Sequence, residues 1–178
     1  DTPDEINQNV EFGVEYDFNS KLNQFKTNKY KTAISNLEKL YKSIKTKEDL
    51  EKLENTNDEY TKSIFYVEDD SGYDKISQNI KKDINDISAM LNNINNKLKS
   101  YTDAGKKQKK QELNDDIKYQ EFLKDEKQLE IDKSDFNRQL LESNDELLYV
   151  SVLKDVVNLI KKNLNTSVNE AITINRLL

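Results

Sequence analysis

The chain has 178 residues, 35% of them charged and 34% apolar, with a formal charge of −6. It contains no His, no Cys and no Trp, and only one Pro, one Met and three Gly. This excludes an imidazole base or ligand, a thiolate nucleophile or disulfide, and any cysteine or histidine zinc site. The length suits one domain, long enough to hide about 70% of its unfolded surface.

Asn, Lys and Ile dominate, with 22, 26 and 14 copies, against two Arg. Lysine cannot fork onto phosphate as a guanidinium does, so specific nucleic-acid reading is not expected. No run of 18 apolar residues is present to span a membrane. Charge is unevenly spread. Residues 71–110 carry nine basic and four acidic side chains, a surplus of five positive charges between two acidic flanks. Either the segments attract one another across the fold, or the middle one presents a basic surface to a polyanion or an acidic partner.

Residues 1–16 read as an extended or partly ordered lead-in, and 17–178 as a helical bundle. Asp1-Thr2-Pro3-Asp4-Glu5 looks like a trimmed start, so an export signal or lipid anchor would lie before it. Phe18, Leu22, Phe25, Ile34, Leu37, Tyr41 and Ile44 recur at steps of three and four, predicting one helix over about 17–45. Thr46 with Asp49 resembles a capping box opening a second, weaker helix through Leu50, Leu53, Tyr60 and Ile64. Glu68-Asp69-Asp70-Ser71-Gly72 reads as a turn. Its composition suggests a calcium loop, but Gly72 at the sixth position puts Val67 first and Gln78 twelfth, and neither can ligate.

Tyr73, Ile76, Ile80, Ile84, Ile87, Leu91, Ile94, Leu98 and Tyr101 form a continuous narrow seam, which predicts a helix of about thirty residues packed in a bundle. Asp103-Ala104-Gly105 should end it. A fourth helix is expected over about 107–130. Ser134 then caps a fifth, with a break possible at the second box, Ser143 to Glu146. From Leu147 to Leu164 apolar residues are densest and fall on more than one face, which puts this helix at the centre of the fold. Thr166 would cap a short last helix through Ile174. The sum is an all-α, single-domain bundle of about five or six helices.

Neither a phosphate-cradling glycine loop nor a nucleophile elbow is present, so no catalytic residue, cofactor or metal is expected and the chain reads as a non-enzyme. Adjacent carboxylates such as Asp145 with Glu146 point to different helix faces and read as ordinary surface. Lys106, Lys107, Lys109 and Lys110 form the densest basic run, a candidate polyanion or anionic-lipid contact. The run lacks the interleaved aromatics that single-strand readers use. Phe65 and Tyr66 abut the polar turn and are candidate contact residues, since tyrosine combines an apolar ring with a wet tip.

A Lys/Asn/Ile-rich, Cys-free and His-free helical chain, with stretches such as Lys81-Lys82-Asp83-Ile84-Asn85-Asp86-Ile87, resembles the ectodomains of Borrelia outer-surface lipoproteins. The resemblance implies a virulence-related, non-enzymatic protein held on the outer membrane by an N-terminal lipid. Its partner would be a host molecule: a complement, matrix or vector protein. The alternative is a self-associating structural protein using the apolar surplus at Leu147–Leu164 as a subunit interface.

Overall fold

The computed structural model describes residues 16–54, 58–65 and 70–164. The lead-in before Tyr16, the expected final helix from Thr166, Tyr66, and residues 68 and 69 of the predicted turn lie outside them. Among the described residues the chain is all-α, with no strand. Its helices are α1 (Phe18–Gln24), α2 (Lys31–Ser43), α3 (Glu51–Glu54), α4 (Glu59–Phe65), α5 (Ser71–Leu98), α6 (Asp103–Leu113) and α7 (Asp116–Leu164). Short 3₁₀ turns at Lys47–Leu50 and Lys99–Tyr101 precede α3 and α6. Two compact units divide the chain, one of residues 1–80 and 145–178, the other of residues 81–144. Helices α5 and α7 each run from one unit into the other.

The first unit holds the larger core. Val150, Val152, Leu153, Val156, Val157 and Ile160 of α7 are all essentially inaccessible. They are accompanied by Phe18, Ile34, Leu37, Tyr41, Leu50, Leu53 and Ile64 from the N-terminal helices, and by Ile80. The Leu147–Leu164 stretch is thus central, as its pattern demands. Leu147, Leu148, Leu159 and Leu164 of the same stretch are half-buried.

One predicted helix is two. Over 17–45 the chain breaks after Gln24: Phe25 is extended (φ −72°, ψ 136°) and helix resumes only at Lys31. The physical reason is tertiary. The backbone N–H groups of Lys26 and Thr27 donate to the buried carboxylate of Asp145, at 2.8 and 2.7 Å, instead of to carbonyls four residues back. The Thr46–Asp49 cap is present: the Asp49 carboxylate accepts the N–H groups of Lys45 and Thr46 at 2.8 and 3.0 Å. Those bonds hold its pKa below the usual carboxylate value.

The second unit is thinner. Leu91 and Ile94 are its buried apolar residues among those described, while Met90, Ile117, Ile131 and Leu141 stand exposed. Gly105 does not end a helix here; it lies in the first turn of α6, where Thr102 Oγ1 accepts its N–H at 3.1 Å. A Cβ at that position would collide with the Ser100 carbonyl, so glycine permits the 3₁₀ turn to close onto α6. The predicted 107–130 helix is also divided. Asn114 takes the left-handed conformation (φ 46°) that stops α6. Asp115 then caps α7 by accepting the N–H groups of Ile117 and Lys118 at 3.0 and 3.2 Å. No break follows at 143–146: α7 is continuous for 49 residues.

Two substitutions test this account by chemical denaturation followed by circular dichroism. Leu153→Ala should cost about 2–5 kcal/mol, the range for a truncated core leucine. Gly105→Ala should destabilise by about 1–3 kcal/mol through overpacking, although alanine is the better helix former.

Candidate functional site

In the second unit the four predicted lysines all lie on α6. Spacing of three and four places Lys106, Lys109 and Lys110 on one side of it. Lys106 Nζ meets Glu126 Oε1 at 3.0 Å, a bond that holds its ammonium charged to higher pH. Lys109 lies over the Phe122 ring at 5.7 Å and Lys110 over Tyr119 at 5.6 Å. Positions rise along α6 as their partners fall along α7, so these two segments run antiparallel. Lys107 points to solvent and is exposed. The aromatics missing from the lysine run are therefore supplied by another helix. Tyr101 stacks on Phe122 at 4.2 Å and 15°; a surface hollow of about 400 Å³ adjoins both rings, and another of about 480 Å³ adjoins Phe122.

Complementary charge accompanies this packing. Residues 81–110 contain eight Lys and three Asp, whereas residues 111–144 contain five basic and ten acidic side chains. A surplus of five positive charges thus meets an equal negative one within a single unit. Three of the four lysines have an intramolecular partner, and their basic character is partly directed inward.

Phe65 ends α4, and Tyr66 lies outside the described residues. Among the described residues no group of acidic side chains is placed to hold a metal ion. Among the described residues no helix is long and apolar enough to cross a membrane.

The first unit holds features that the sequence reading passed over. Asp145, taken above as surface, is only 2% exposed. Besides two backbone N–H groups it accepts the Thr27 hydroxyl at 2.5 Å, so its charge is met by three donors. A signal did exist: Asp145 precedes Tyr149, Leu153 and Val157 at steps of four, in phase with the buried stripe. Beside it, Tyr30 stacks on Tyr149 (4.9 Å, 20°), with Tyr60 tilted 6.5 Å from Tyr149. The three rings wall a cleft of about 440 Å³, completed by Ala33, Leu37 and Leu40 of α2 and by Asp58.

The hydroxyl tips of Tyr30 and Tyr149 are held by carboxylates. Tyr30 donates to Glu146 at 3.1 Å, Tyr149 donates to Asp58, and farther along α7 Tyr16 donates to Asp155 at 3.0 Å. Burial first, and then the neighbouring carboxylate, pushes the Tyr149 and Tyr16 phenols well above their ordinary value. Tyr101 is shifted the same way by burial and by Asp125 and Glu126.

Comparison with protein-family models, curated proteins and solved structures finds no match.

Two predictions follow from these bonds. Asp145→Ala strands two backbone donors and a hydroxyl, and should lower stability by about 2–4 kcal/mol in a urea titration. The phenols raised in the fold bind their protons more tightly there than when unfolded. Their stabilising contribution is complete below about pH 10 and is lost as pH rises beyond it. The urea midpoint should therefore fall between pH 9 and pH 11, less steeply in Tyr149→Phe, with tyrosinate absorbance appearing as the helix melts.

Proposed function

We propose that the chain is a non-enzymatic binding protein displayed at a cell surface, comparable in role to the Borrelia outer-surface lipoproteins that its composition resembles. Its partner is a host protein met by an exposed helical face, and its membrane attachment is an N-terminal lipid rather than a spanning helix. The observation that supports this reading best is the contrast between the units. Among the described residues, one encloses most of its apolar side chains; the other leaves Met90, Ile117, Ile131 and Leu141 in solvent and also carries lysines laid over aromatic rings. Anchors of that kind, apolar or amphipathic groups beside long cationic stems, are what protein interfaces use.

Exposed apolar side chains also favour a second reading, self-association through the same unit. Light scattering at micromolar concentration separates the two: a monomer supports the host-partner reading, and a dimer abolished by Ile131→Lys supports the other. For the first reading, the immobilised chain is assayed against purified complement and matrix proteins. Lys107→Glu with Lys110→Glu should weaken capture roughly fivefold or more, mostly through a slower association rate, with the helical dichroism unchanged. Equal capture by wild type and variant would remove α6 from the contact.

A further inference from the structure

The cleft of the first unit carries more chemistry than a packing defect needs. It is lined by Tyr30, Tyr60 and Tyr149 together with Ala33 and Leu40, and its polar edge includes Asp58. At about 440 Å³ it falls in the range of small-molecule sites, which are mostly apolar with a few fixed polar groups.

The hydrogen bonds decide which ligand it suits. Tyr149 donates to Asp58 and Tyr30 to Glu146. A phenol that donates to a carboxylate gains electron density on its ring, and an electron-rich ring face attracts cations. The molecule supplies an internal example, because the Lys29 ammonium lies over the Tyr30 ring at 5.5 Å. Lys29 also stands at the rim of the cleft, where an entering cation would compete with it. An anionic ligand would meet the Asp58 carboxylate and electron-rich rings. A neutral apolar ligand would gain nothing from them.

We propose that this cleft binds a small arylalkylamine, with its ring against the tyrosine wall and its ammonium directed to Asp58. The flat group continues the Tyr30–Tyr149 stack, and the short alkyl link lies along Ala33 and Leu40. Asp58 also accepts the Tyr60 backbone N–H at 2.9 Å, which fixes the carboxylate at the N-terminal end of α4. The site is separate from the α6 surface and does not depend on the host-partner reading.

Isothermal titration of the whole chain with tryptamine tests the assignment, with indole-3-propionate and 3-ethylindole as anionic and neutral counterparts of similar shape. Tryptamine should bind at least tenfold more tightly than either. Lys29→Gln, which removes the competing ammonium, should tighten tryptamine about threefold. Ala33→Trp, which fills the cleft, should abolish binding. Equal affinity for the three indoles in the wild-type chain, or undiminished binding by a folded Ala33→Trp variant, overturns the proposal. The three-ligand comparison needs no variant, so a substitution that fails to fold leaves the test intact.

Discussion

A helix that is apolar on more than one side cannot be satisfied by one neighbour, and the stretch of α7 from Tyr149 to Ile160 is such a helix. The rest of the first unit follows from that demand. A single long partner could cover one stripe only. The N-terminal third of the chain instead comes as short pieces, α1 to α4, which supply buried residues from several directions. Each change of direction exposes backbone groups that must find partners. Asp145, at the near end of the oily stretch, takes up two of them at the bend between α1 and α2.

With no imidazole and no sulfhydryl in the chain, long-range polar ties are made by tyrosine and carboxylate. Tyr16 with Asp155, Tyr30 with Glu146 and Tyr149 with Asp58 join positions 139, 116 and 91 residues apart. Each places an apolar ring in or beside the core and its hydroxyl on an acidic group nearer the surface. The same arrangement that ties the helices also polarises the rings of the cleft, so a structural device and a ligand-directed property arise from one set of bonds.

The second unit is governed differently. Its seam is narrow, few of its side chains are fully buried, and opposite charges on its two halves contribute to closing it. Exposed ion pairs are individually weak, and lysine stems lying on aromatic faces add apolar cover as well as charge. A surface assembled in this way keeps cations and rings near solvent.

Fold class and the central place of the 147–164 helix were legible in the sequence, because periodicity three and four and two-sided oiliness are local properties with one physical outcome. The Thr46–Asp49 cap was legible for the same reason. Helix ends were less so. Gly105 reads as a terminator until Ser100 is seen to press against it, and Ser143 with Glu146 reads as a break that α7 simply passes through. The helix expected over 17–45 is interrupted because a carboxylate about 120 residues away competes for its amides. Composition and spacing thus determined that this chain is helical, which stretch is innermost and which chemistries it lacks. Only the tertiary structure decided which carboxylate is buried, which lysines lie against rings or an acidic partner and which tyrosines meet around a cleft, since those depend on partners remote in sequence that no local pattern encodes.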